Sequence, residues 1–116
     1  MIVNERTGAQ IATAVEHAAT RATRRRGLLG RDHLDPHCAM ILEPCTAVHT
    51  AFMRFAIDVV FIDRAGYALK IVRDVAPWRI AIAAGAHAVV EMAAGSIGPH
   101  QLQVGDRLVV KDAIKN

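Results

Sequence analysis

The sequence predicts a mostly β chain: a single domain folded as an antiparallel β-sandwich or barrel-like structure, with one short N-terminal helix. Three observations lead there. Apolar segments rich in β-branched residues, such as "IDVVFID" and "AHAVVEMAAG", recur along the chain. Turn residues rather than long helical stretches separate them. A chain of 116 residues is long enough for one core and too short for two.

At the N-terminus, "IVNERTGAQIATAVEHA" reads as two short strands, with Arg6-Thr7-Gly8 reversing the chain between them. From Ala19 to Gly30, "ATRATRRRGLLG" places Ala19, Ala22 and Leu29 near one helical stripe and ends in glycines, which predicts the short helix. "RDHLDPHC" is loop chemistry, because Pro36 pushes Asp35 out of the α region. "AMILEP" is a strand stopped by Pro44. "IDVVFID" and "YALKIVRDVAP", joined at Arg64-Ala65-Gly66, make the clearest hairpin. "PWRIAIAAG" is expected as a connection and "AHAVVEMAAG" as a strand. "GSIGPHQLQVGDRLVVKDA" is expected to hold one helical turn near Pro99 to Leu102, a turn at Val104-Gly105-Asp106 and a closing strand. The count comes to about seven strands and one helix.

Composition narrows the function classes. Apolar residues make up 53% of the chain, with one Trp, one Tyr and three Phe, so the core is built of small and β-branched side chains. The net charge of +3 is local: Arg21, Arg24, Arg25, Arg26 and Arg31 fall in a stretch without an acid. Such an arm suits phosphate, an anionic surface or an acidic partner. Nucleic-acid or anionic-surface binding through helix 21–31 is therefore one alternative. Few aromatics are present to stack bases, and no recognised nucleic-acid module is visible. Asn4, Glu5 and Arg6 stand where the apolar part of a secretory signal would be, and no apolar run approaches the ~20 residues of a membrane span, so a cytoplasmic chain is expected.

The remaining chemistry gathers between residues 33 and 58. Cys45 and His49 are a thiol and an imidazole four residues apart, the pair a small thiol-dependent hydrolase would use. On a strand they share a face ~13 Å apart, so contact requires a sharp bend after Pro44. A metal site is a further alternative. Cys38 and Cys45 lie roughly 20 Å apart if the intervening segment is extended, leaving His33, His37 and Cys38 as the only compact donor set. The same separation predicts two free thiols. Arg25 or Arg26 turns toward the helix face of Leu29, where a structural ion pair with Glu43, Asp58 or Glu91 is expected.

Four stretches in order, "RGLLGR", "FMRFAIDVVFID", "AVVEMAAG" and "LQVGDRLVV", carry a resemblance. Together they resemble the domain of unknown function family 192, small mostly-β proteins, over about Val3 to Val110. The resemblance implies an all-β sandwich-like or barrel-like fold with a short helix, and no established activity or cofactor. At Met53-Arg54-Phe55-Ala56 the sequence departs from the commoner Met-Lys-Asn-Thr followed by proline. Asp58 resembles the family's Leu-Asp position, which implies an anchoring role.

The expected function is a non-catalytic β module that binds a small anionic ligand, a peptide or a partner protein through the loop 45–58. Its expected binding residues are His49, Met53, Arg54 and Asp58, with Arg54 as the forked donor beside apolar Phe52, Met53 and Phe55.

Overall fold

The computed structural model describes residues 1–98 and 101–111. Ten strands and one helix follow in the order β1 (Ile2–Asn4), β2 (Gln10–Ala12), β3 (Ala14–Ala18), α1 (Arg21–Arg26), β4 (Cys38–Leu42), β5 (Ala47–His49), β6 (Ile57–Ile62), β7 (Ala68–Val75), β8 (Ile80–Ile82), β9 (Ala88–Ala93) and β10 (Leu108–Val110). A five-stranded sheet in the order β3-β4-β9-β6-β7 is the frame. A three-stranded sheet, β10-β1-β2, and a two-stranded one, β5-β8, complete the β structure.

The mostly-β expectation holds, as layers rather than a closed barrel. Alternation along the central strands sends residues to two cores. Met40, Leu42, Val59, Phe61 and Val89 point to one face, which is covered by Leu28, Val48, Met53, Ala81 and Ala83 from the α1 end and the β5-β8 region. Ala39, Ile41, Val60, Val90 and Met92 point to the other, which is covered by Ile2, Ile11, Ala12, Leu102 and Leu108.

Three strands beyond those expected account for the difference in count. The N-terminal segment divides at Thr13, where Thr13 N and Ala14 N both donate to His37 O. The chain thereby leaves the small sheet, and β3 runs parallel to β4 from Ala14↔Cys38 to Ala18↔Leu42, against the all-antiparallel expectation. The other two are β5 and β8, which pair antiparallel through Ala47↔Ile82 and His49↔Ile80.

The helix is shorter than the 19–30 expected. Thr20 caps it, its hydroxyl accepting from Thr23 N while Thr23 Oγ1 accepts from Thr20 N. Gly27, at φ 46°, donates to Thr23 O and ends it. The helical turn expected near Pro99 begins outside the described residues. No helix of the described residues is long and apolar enough to cross a membrane.

Candidate functional site

A cavity of about 300 Å³ lies on the first sheet face, bordered by α1. Arg21, Arg24, Arg25 and Arg26 line it from the helix, with Leu28 and Leu29 just beyond. Leu42, Val48 and Met53 supply apolar wall, and Cys45, His49 and Glu91 complete the lining. Arg21, Arg24 and Arg25 are spaced i, i+3 and i+4, so one helical face carries three guanidinium groups.

Burial orders the cavity by depth. Arg21, Arg25 and Arg26 are exposed and Arg24 is half-buried, so the cationic groups stand at the mouth. Leu42, Val48, Met53 and Glu91 are buried and form the inner part. Arg24 donates to Ala19 O at 2.6 Å and reaches Glu43 O at 3.4 Å. Among the described residues none of the four arginines forms an ion pair.

This corrects the ion pair expected at Arg25 or Arg26. The Glu43 carboxylate is taken by His87 Nε2 at 2.8 Å. Asp58 faces the opposite core and accepts backbone amides from Asp74, Gly95 and Ile97. Glu91 has no hydrogen-bond partner among the described residues, and its burial pushes it up to about 7.

Of the four expected binding residues, His49 and Met53 line the cavity. Arg54 stands outside it, exposed and paired with the exposed Asp32. Asp58 anchors structure on the far side of the sheet, as the family position implies. Phe52 and Met53 point apart: Met53 is buried in the first core, whereas Phe52 is exposed and packs edge-on against Trp78 at 4.6 Å.

Cys45 and His49 share the cavity, but the thiol donates to Ala47 O at 3.0 Å. Burial pushes the Cys45 thiol up, the Glu91 charge adds to this, and Ala47 and Arg24 only oppose it. The group is thus kept as a thiol. Both cysteines are free, as expected from the strand between them. The metal set His33, His37 and Cys38 is not gathered. Among the described residues no group of three or more His, Cys, Asp or Glu side chains could hold an ion, because β4 carries Cys38 up into the sheet while His33 and His37 remain on the preceding loop.

Residues 2–110 match the family profile DUF192, described as Uncharacterized ACR, COG1430. The chain belongs to this family. No curated protein matches it. Among solved structures it is similar to a protein of unknown function from Novosphingobium aromaticivorans, at 23% identity and a TM-score of 0.75, over 83% of this chain and 74% of that one. It is also similar to a Sinorhizobium meliloti protein provisionally named a transcription regulator, at 24% identity and a TM-score of 0.75, over 82% and 79% of the two chains. At these identities the likeness speaks for the DUF192 fold alone.

Two features of the site carry a signal in the sequence beyond the role expected of them. Glu91, expected as an ion-pair partner, stands between Val89 and Ala93, apolar residues two positions away on either side. A carboxyl in phase with an apolar face was the available signal. The i, i+3, i+4 arginine spacing was the other, but which surface it faces follows from the return of the chain through β5 and β9.

Proposed function

We propose that this chain is a non-catalytic β module that holds a small anionic ligand in the cavity between α1, β5 and β9. The observation that carries the reading is the cluster of four arginines lining one cavity without a carboxylate partner among the described residues. Guanidinium groups bind carboxylate or phosphate through paired donors, and α1 rather than Arg54 supplies them. The volume lies at the small end of ligand sites, and the apolar inner wall of Leu42, Val48 and Met53 suits an aliphatic body behind the anionic group. His49 contributes a polar edge. A thiol engaged with Ala47 O, with no imidazole among the described residues bonded to it, supports binding over hydrolysis.

A thermal-shift series with inorganic phosphate, acetate and hexanoate tests this. Hexanoate is expected to raise the melting temperature most, because it fills both the cationic mouth and the apolar interior. Arg25→Gln/Arg26→Gln, whose side chains make no hydrogen bond among the described residues, is expected to abolish the shift and leave the unliganded melting temperature unchanged. Shifts that are absent, or that persist in the double variant, reject the reading.

A further inference from the structure

Position 91 is a carboxyl where the strand calls for a hydrocarbon. Met40 on β4 and Val59 on β6 flank it in register. Both belong to the first core, as does Val89 two residues before it. Glu91 is 5% exposed, and no group among the described residues donates to it. A buried carboxyl without a partner is costly, and nothing described within the protein offsets that cost.

Its oxygens nevertheless remain reachable. Among the described residues the side-chain polar atom that is both sealed and unpartnered is the Ser96 hydroxyl, so the unpartnered Glu91 oxygens keep access to the cavity they line. The cavity therefore presents one acid among apolar side chains in its buried part and guanidinium groups at its mouth.

We propose that Glu91 recognises a primary ammonium group, so that the cavity takes an ω-amino carboxylate: an amine at the inner end, a short methylene chain along Leu42, Val48 and Met53, and a carboxylate at the arginines. This rests on the anionic-ligand reading above and names the substrate class of that site. The ammonium supplies the donors that Glu91 lacks, and the ion pair forms where little water competes. The polarity of the cavity also sets the orientation, since a reversed ligand would put its carboxylate against Glu91 and its ammonium among arginines.

The charged and titratable groups that share the cavity with Glu91 are Arg21, Arg24, Arg25 and Arg26 from α1, Cys45 from the loop before β5, and His49 from β5. β4 and β6 flank it with Met40, Leu42 and Val59, which carry no charge. Burial alone accounts for its upward shift to about 7. An arriving ammonium favours the ionised form, so binding at neutral pH releases protons.

Calorimetric titration of the full chain with hexanoate, 6-aminohexanoate and hexylamine tests the proposal. In the wild type, 6-aminohexanoate is expected to bind at least ~10-fold more tightly than either analogue, with proton release visible as a dependence of the heat on the buffer's ionisation enthalpy. Glu91→Gln is expected to erase the advantage and the proton release while leaving hexanoate binding intact. If hexanoate binds and 6-aminohexanoate binds no better, the ammonium assignment falls and the anionic-ligand reading stands. If none of the three binds, both fall. A preference for 6-aminohexanoate that survives in Glu91→Gln overturns the role of Glu91.

Discussion

The Asp58 carboxylate on β6 accepts the backbone amide of Asp74 on β7 at 2.9 Å. This bond lies where the register slips: Ile57 pairs with Val75 and Val59 with Val72, so Asp58 faces two residues of β7 instead of one. Asp74 adopts φ 56°, a left-handed conformation uncommon outside glycine, which aspartate and asparagine enter most readily of the other residues. The other Asp58 oxygen accepts from Gly95 N at 3.1 Å. One side chain therefore fixes the bulge of an edge strand and the turn after β9.

Asp58→Ala should leave these amides without their acceptor, at a cost of about 2–4 kcal/mol. Arg54→Ala should change stability by less than ~0.5 kcal/mol, because it removes only an exposed pair with Asp32. Urea unfolding of the two variants measures both values. A large loss for Arg54→Ala with none for Asp58→Ala would reverse the structural assignments of these residues.

The β6-β7 hairpin and the anchoring role of Asp58 were legible because their signals are local: a β-branched run, a Gly-containing turn, and one acid at the start of an apolar strand. β5 and β8 were not, since three-residue strands carry too few alternations to be told from connection, and each exists because the other lies beside it. The parallel β3-β4 pairing needs a crossover through α1, which strand periodicity does not record. The site suffered most from this. Its arginines and its carboxyl are separated by some sixty-five residues in sequence, and only the sheet order β3-β4-β9 brings Glu91 into the cavity that α1 borders.

Gly66 should not tolerate a side chain. At φ +97°, a Cβ placed there would stand 2.6 Å from Leu108 O, a backbone atom held in place by its own strand. The Leu108 amide in turn donates to Gly66 O at 2.9 Å, so the turn after β6 is docked against β10. Gly66→Ala should cost at least ~2 kcal/mol, combining the left-handed penalty with displacement of β10. A lowered urea midpoint with an unchanged slope is the expected signature, and an unchanged midpoint would mean that the two segments are not docked.

Thiol chemistry offers an independent view of the cavity. Under denaturing, non-reducing conditions a thiol reagent should count two groups. In the folded protein at pH 7, Cys45 should react slowly, because it is partly buried, kept protonated and engaged with Ala47 O. Hexanoate at saturation should slow Cys45 further and leave Cys38, which does not line the cavity, unaffected. Peptide mapping of the labelled protein separates the two sites. Equal protection of both cysteines would place the ligand elsewhere.

The pH dependence of stability should have two limbs of opposite sign. Glu91 titrates at about 7 when folded and near ~4.3 when unfolded, so between those values the folded state holds the extra proton. Its contribution is fully present below ~4, falls as pH rises toward 7, and levels off beyond, for a total of at most ~4 kcal/mol. Asp106 behaves in the opposite way. The Arg6 guanidinium, bonded at 2.6 and 3.0 Å, holds it well below the usual carboxylate range, aided by Gln103 N and Asn4 Nδ2. Its contribution is present above ~4 and is lost as the medium becomes more acidic. Melting temperatures from pH 3 to 9 should therefore peak in mildly acidic buffer. Glu91→Gln should flatten only the limb between pH 4 and 7 and be more stable than the wild type at pH 8, while Asp106→Asn should flatten only the acid limb. A difference between wild type and Glu91→Gln that stays constant across this range would mean that Glu91 is already ionised at pH 5 and has found a partner, leaving the inner end of the cavity nothing with which to recruit an amine.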